Sequence, residues 1–364
     1  MSSFTIEAAA LRKAASAARG IVTTNKAIAV LNNVRIDAAS GSLRLLATDQ
    51  DCWAEITTSA IVGDSVSTTV AANLFDDIAK NAPPGAQVEI ALTDAGATAK
   101  AGRAKFRLPT LPVDSFPPMN DHGIGEQVRV ETAALLAGIA AVAHVRAEEH
   151  QHHLHGVLIR PADGGLEVAA FDGKRLSRAP VAAQVADDFA CMTIPLPVVS
   201  KLRAILDSAG DEITIGHNGR LALIQGGGLR FLTRLVEGVF TPYWNRLPTL
   251  DGEPVLFSSK ELNAALNRVG LVQDRHYSGT VLELSRDTAK LSLANHALGD
   301  VSEIVPVGYS GPDVRIGYNL RFLKDAVANC PGDEAELHID ADRNAHIFAR
   351  APGSPHHMIA KMAI

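Results

Sequence analysis

The chain states one order of elements three times, at a period of about 120 residues, far beyond the short periods of solenoid proteins. Each unit opens on a short strand and a helix: FTIEAAALRKAASAARGIV from Phe4, VRVETAALLAGIAAVAHV from Val128, and VLFSSKELNAALNRVGLV from Val255. In the third of these, Leu262, Leu266 and Val269 recur at helical spacing and share a face. Alternating segments with tight turns follow, VRIDAASGSLRLLATD, VLIRPADGGLEVAAFD and VLELSRDTAKLSLAN, which predict hairpins. A second helix is expected in AANLFDDIAKNAP, LPVVSKLRAILDSAG and YNLRFLKDAVANCP, each closed by a Gly or Pro stop. A last hairpin ends each unit. A repeat of this length is a whole domain, so the expectation is α+β: three domains of like topology over residues 1–123, 124–250 and 251–364, with antiparallel sheets covering helices that lie on one side.

At 364 residues the chain is too long for one ordinary core. No apolar run approaches the roughly 18 residues of a membrane span. Cys52, Cys191 and Cys330 are few, odd in number and far apart, and MSSFTIEAAALRKAA lacks an apolar signal core. Both features point to a reducing cytoplasm. The net charge of −6 argues against a protein that holds nucleic acid by simple phosphate neutralisation. The objection weakens if the positive charge is local and a nucleic acid were held by enclosure. The basic residues do collect on the predicted helices: Arg12, Arg19, Arg146, Lys201, Arg203, Lys260, Arg268, Arg321 and Lys324, with Lys26 on the loop after the first helix. Lys and Arg decorate any exposed helix, so placement alone assigns no ligand.

Three segments carry a resemblance. They are GRAKFRLPTLPVDSFPPM (Gly102 to Met119), FDGKRLSRA (Phe171 to Ala179) and RLVEGVFTPYWNRLP (Arg234 to Pro248). In that order, on a threefold repeat, they resemble the bacterial DNA polymerase sliding clamp family, the beta subunit of DNA polymerase III, over the whole chain. The resemblance implies a non-enzymatic processivity factor without a cofactor. It also implies three clamp domains per chain, two chains meeting head to tail as a homodimeric ring, helices lining the hole and sheets outside. Double-stranded DNA, held topologically and without base readout, would face the helix Arg and Lys residues named above. The DNA polymerase III alpha subunit, the clamp loader and repair polymerases would dock through short peptides between the second and third domains. That pocket would comprise Leu154, Phe171, Gly173, Arg175, Leu176, Thr241, Pro242, Asn319, Phe322, Met358 and Met362. At the subunit contact, Phe106 and Leu108 would meet Leu271 and Val272, with edge strands pairing across the dimer.

The chain departs from the family pattern at several places. The early Pro-Ile-Leu-x-Asn signature reads Ala29-Val30-Leu31-Asn32-Asn33, and a nearby arginine is Asn25. Arg-x-x-Leu-Asn-Gly reads Gln151-His152-His153-Leu154-His155-Gly156, and Phe-Pro-Asp-Tyr reads Phe240-Thr241-Pro242-Tyr243. The tail reads Ala360-Lys361-Met362-Ala363-Ile364. These changes fall on the expected DNA loop and pocket, which leaves open a divergent or accessory clamp with altered partners.

Other signals weigh less. His144, His150, His152, His153 and His155 invite a metal-binding or metal-dependent hydrolase alternative, but they lack an ordered ligand pattern. Strand alternation would put His153 and His155 on one face and His152 on the other, and a solvated loop fits better. GHNGRLALIQGGG has no phosphate-loop spacing and reads as hairpin turns. Asp49, Asp51 and Glu55 read as a solvated acidic face rather than an acid–base pair. A third alternative is an interaction protein that keeps the fold without enclosing DNA.

Overall fold

The computed structural model describes residues 2–93, 96–247, 250, 252–274, 278–340, 342–350 and 353–363. Pro248, the end of the third motif, and Ile364, the end of the tail, lie outside the described residues. The first repeat runs β1 (Ser3–Glu7), α1 (Ala8–Ile21), β2 (Asn33–Ala39), β3 (Ser42–Thr48), β4 (Cys52–Ser59), β5 (Ile61–Val62), β6 (Val66–Ala71), α2 (Ala72–Asn81), β7 (Gln87–Thr93), β8 (Gly96–Ala101) and β9 (Ala104–Leu108). The second runs β10 (Val128–Glu131), α3 (Thr132–Val142), β11 (Gly156–Ala162), β12 (Gly165–Phe171), β13 (Arg175–Val185), β14 (Met192–Pro195), α4 (Leu196–Leu206), β15 (Glu212–His217), β16 (Leu221–Gly226) and β17 (Leu229–Arg234). The third runs β18 (Val255–Ser258), α5 (Ser259–Val269), β19 (Gly279–Ser285), β20 (Thr288–Asn295), β21 (Gly299–Pro306), β22 (Val314–Asn319), α6 (Leu320–Ala328), β23 (Glu334–Ile339), β24 (Ala345–Ala349) and β25 (His356–Ile359). Apart from the two-residue β5, the order of strands and helices is the same in all three.

Two compact units emerge from the packing, one of residues 1–136 with 183–235, the other of 137–182 with 236–364. The middle repeat is therefore divided between them, because backbone ladders cross the repeat boundaries. In the first unit, β17 pairs with β4, placing Phe231 opposite Ala54. In the second, β13 pairs with β25, placing Leu176 opposite Met358. A ladder hydrogen bond satisfies its donor and acceptor wherever the strand comes from, so contact density follows the sheets.

The first unit holds a five-stranded sheet, β5-β1-β7-β8-β9, and a longer run from the end of β13 through β10-β15-β16-β17-β4-β3-β2 to β6. Its core includes Phe4, Leu11, Ile21, Leu45, Phe75, Ile90 and Phe231, all buried. The second unit holds β21-β20-β19-β22 and the run β18-β23-β24-β25-β13-β12-β11. Its largest apolar cluster joins Leu262, Leu266 and Val269 of α5 to Leu320, Leu323 and Val327 of α6 and to the strands beneath. Local sequence sets the helix starts. Ser258 Oγ accepts from the Glu261 backbone N–H at 3.3 Å, and Asn319 Oδ1 accepts from Arg321 and Phe322 N–H groups at 3.0 and 3.4 Å. Asn319, expected to line the peptide pocket, thus spends its side-chain oxygen capping α6.

The glycine-rich stretch forms hairpins, as expected. Two of its glycines are required for different reasons. A Cβ on Gly216 would lie 1.7 Å from the Gly125 carbonyl oxygen, whereas Gly219 has open space around it but a φ of +85°. Gly216→Ala is therefore expected to destabilise the first unit by more than about 3 kcal/mol, and Gly219→Ala by about 1 kcal/mol. Denaturant midpoints of the two variants check the order.

Candidate functional site

An apolar cluster stands where the peptide groove was expected in the second unit. Its floor is Ala147, Leu154, Leu158, Ala169, Leu176, Phe240 and Tyr243, all buried, and half-buried Phe171, Trp244, Leu247 and Met358 pack against it. Strand register explains the arrangement. Leu176 on β13 stands opposite Phe171 on β12 and opposite Met358 on β25. Directly opposed residues share a sheet face, so the three side chains form a row.

The turn before β13 is fixed by its own chemistry. Gly173 takes a φ of +86°, and Asp172 Oδ1 accepts from the Lys174 and Arg175 N–H groups at 3.0 and 2.9 Å. Arg175 then points away from the row into protein. Its guanidinium donates to Asp172 at 2.9 Å, to Asp325 of α6 at 2.6 Å and to the His144 carbonyl at 3.2 Å. Its Cζ also lies 4.3 Å from the centroid of the Phe322 ring. Arg175 is buried, so it anchors α6 to the hairpin and is not free to reach a ligand. Removing one partner from such a buried set costs about 3–5 kcal/mol. Met362 stays 38% exposed, held by its N–H donating to the Gly317 carbonyl at 2.7 Å. Thr241 is half-buried and Pro242 exposed, leading into a 3-10 turn over Tyr243–Arg246.

Leu154, Phe171, Leu176 and Met358 are thus brought together in one cluster. Phe240, Tyr243, Trp244 and Leu247 join them unforeseen. Aromatic residues at i, i+3 and i+4 in the third motif were the available signal.

Histidines lie behind β13. Ser177 Oγ sits 3.1 Å from His144 Nε2 and 2.9 Å from His357 Nδ1. Phe348 stacks between His338 and His356, with centroids 4.9 and 4.6 Å away. Burial, reinforced by the Arg175 charge, pushes His144 down to about 4. Burial and Arg178 bring His356 to about 4, and burial with His144 nearby brings His357 to about 3. These rings are neutral at pH 7. The loop histidines lie in a different local structure. His152–Leu154 form a 3-10 turn within the expected loop, because the Glu148 and Gln151 carbonyls close successive turns. His150 is exposed and paired with Glu148 at 3.3 Å. Among the described residues, no group of three or more His, Cys, Asp or Glu side chains is placed to hold a metal ion.

The expected cationic residues divide into two sets. Lys26, Arg146, Arg203, Lys260 and Arg321 are exposed, as is Arg12, which donates to the Lys80 carbonyl at 2.9 Å. Lys324 is half-buried, and Arg19 donates to the Val22 carbonyl at 2.9 Å beyond the end of α1. Two expectations are corrected. Lys201 is mostly buried in an ion pair with Asp49, whose carboxyl is held low by Lys201 despite the opposing effect of burial. Arg268 is clasped by Glu303, with Nε 3.0 and 2.9 Å from its two oxygens. Neither offers a free positive charge. The acidic trio also differs from a solvated face, since Asp49 and Glu55 are engaged by Lys201, Arg44 and Arg230.

At the expected subunit contact, Leu271 is 80% exposed, but Leu108 is only 1% exposed and belongs to the core of the first unit. Val272 packs against the core of the second. Their strand and turn positions turn the side chains inward, so Phe106 and Leu271 remain as the accessible pair.

Comparison with known proteins gives one consistent result. Residues 2–120 match the model of the DNA polymerase III beta subunit, N-terminal domain, and residues 246–362 that of its C-terminal domain. The chain is 27% identical over 342 residues to the beta sliding clamp of Caulobacter vibrioides, covering 92% of each. It is 27% identical over 347 residues to that of Pseudomonas aeruginosa, covering 94% of each. Among solved structures, the C. crescentus beta sliding clamp superposes with a TM-score of 0.91 at 25% identity. The Pseudomonas aeruginosa clamp bound to griselimycin does so with a TM-score of 0.92 at 25% identity. Both cover 100% of each chain.

The buried histidines make the second unit acid-sensitive. Their folded pKa values lie below the ordinary value of about 6.5, so the unfolded chain binds more protons between the two. Stability is complete above about pH 6.5 and is lost as pH falls through about 4 toward about 3. Melting temperature followed by circular dichroism is expected to decline across that window, and His357→Gln to flatten the decline.

Proposed function

The chain belongs to the DNA polymerase III beta subunit family, and on that premise we propose that it is a sliding clamp closing around duplex DNA as a head-to-tail dimer. The observation that carries this is the element order, repeated three times along the chain with one insertion. Three like domains per chain, divided near residues 123 and 250, give six in a closed dimer. The proposed place of action is the cytoplasm. Among the described residues, no helix is long and apolar enough to cross a membrane.

The exposed Arg12, Lys26, Arg146, Arg203, Lys260 and Arg321 would face the DNA. Their contacts would be to phosphates, weak and without base readout, so the ring slides while its topology prevents escape. No catalytic residue is needed for this. Closure would use edge strands. In the first unit β9 ends its sheet and carries exposed Lys105 and Arg107; in the second, β21 ends its sheet and carries exposed Asp300. Each has one unpaired row of backbone groups, and pairing β9 of one protomer with β21 of its partner would satisfy both rows and set opposite charges together.

The groove around Phe171, Leu176 and Met358 would receive short apolar peptide anchors from the polymerase, clamp loader and repair polymerases. Leu176 forms buried floor, and the accessible contacts would come from Phe171, Trp244, Met358 and Met362. Loading the protein on nicked circular DNA with a clamp loader, and then cutting the circle, tests the mechanism. An encircling ring leaves the linear DNA within minutes, and retention equal to that on uncut circles would refute it.

A further inference from the structure

Two consecutive residues of the groove wall are tied to one buried ion cluster. Glu167 on β12 is 8% exposed. It accepts hydrogen bonds from Tyr243 Oη at 2.5 Å, Arg160 Nε at 2.8 Å and Arg178 Nη1 at 3.0 Å. Burial alone would raise its pKa, but the donors from Tyr243 and Arg160 outweigh burial and hold it below the ordinary value. The same Arg160 guanidinium lies 4.7 Å from the centroid of the Trp244 ring. Tyr243 and Trp244 meet edge to face at 5.3 Å, and Tyr243 meets Phe240 likewise at 6.3 Å. A hydrogen bond fixes the first residue of the turn and a cation–π contact the second, both through the Arg160–Glu167 pair.

The wall therefore stands in one orientation before any ligand arrives. Arg160 is itself largely buried, at 18% side-chain exposure, and its cation lies over the indole. Trp244 remains half-buried at the groove, as does Phe171. The held Trp244 ring, with Phe171 in the same cluster, favours a further ring, which can pack edge to face or offset against it, over a branched aliphatic group of similar size. Preorganisation also removes an ordering cost that a mobile tryptophan would impose on binding.

We propose that Trp244 is the specificity-determining wall of the groove, selecting an aromatic over an aliphatic peptide anchor, and that Glu167 is the positioning residue that holds it through Arg160 and Tyr243. This rests on the groove being the peptide site of a clamp. The aromatic preference expected from such ring contacts is roughly 2- to 12-fold in affinity. The floor residues supply the affinity common to both anchors.

The test uses the full-length chain and a fluorescein-labelled peptide spanning the clamp-binding segment of the host DNA polymerase III alpha subunit, made with phenylalanine or leucine as its apolar anchor. Anisotropy titrations should show wild-type protein preferring the phenylalanine peptide. Trp244→Ala should bring the two affinities within about twofold, Trp244→Phe should retain the preference, and Glu167→Gln should weaken it while melting confirms a folded protein. A second readout isolates the wall. The chain has two tryptophans, so Trp53→Phe leaves Trp244 as the sole indole, and its emission should shift on binding the phenylalanine peptide but less with the leucine one. Equal affinities in wild type, or a preference unchanged in folded Trp244→Ala, would overturn the proposal while leaving the peptide site intact. Failure of wild type to bind either peptide would remove the site and the proposal together.

Discussion

Antiparallel backbone pairing is the constraint on which the rest of the molecule depends. Each strand must find partners for its N–H and C=O groups, and the chain does so without regard to repeat boundaries. In the first unit, β17 of the middle repeat completes the ladder of β4. In the second, β25 completes that of β13. The groove follows directly from this pairing, since the row Phe171, Leu176 and Met358 exists only because three strands from two repeats are in register. The proposed subunit contact is the same requirement applied to β9 and β21, where one row of groups on each has no partner within its sheet.

Charge is distributed in two ways. Where rigidity matters, ions are buried and fully bonded, as at Arg175 between Asp172 and Asp325 and at Glu167 between Arg160 and Arg178. Where passing contact with DNA is proposed, Lys26, Arg146, Arg203 and Lys260 are exposed on or near helices. A net charge of −6 is compatible with both, because a ring that holds by enclosure needs only a local positive lining. Neutral buried histidines beside the groove belong to the first group, and they tie its integrity to pH.

Much of this was legible in the sequence because it was written in periodicity. The helices α1 to α6 and the hairpins fall in the segments predicted, and Leu262, Leu266 and Val269 do share a buried face. Leu154, Phe171, Leu176 and Met358 were placed by resemblance and meet in one cluster. What was not legible depends on partners distant in sequence. No local pattern reveals that Lys201 will meet Asp49, that Arg268 will meet Glu303, or that Leu108 will turn inward from an edge strand. The anchoring of Trp244 was equally hidden, since Arg160 and Glu167 lie on β11 and β12, far from it in sequence. His152–Leu154 became a 3-10 turn because carbonyls earlier in the loop captured its N–H groups.

Enclosure is the central claim, and electron micrographs of the purified protein address it most directly. Two chains joined end to end should appear as an annulus whose opening admits a double helix, about 20 Å across or more. Compact particles without an opening, at concentrations where the dimer forms, would contradict the account.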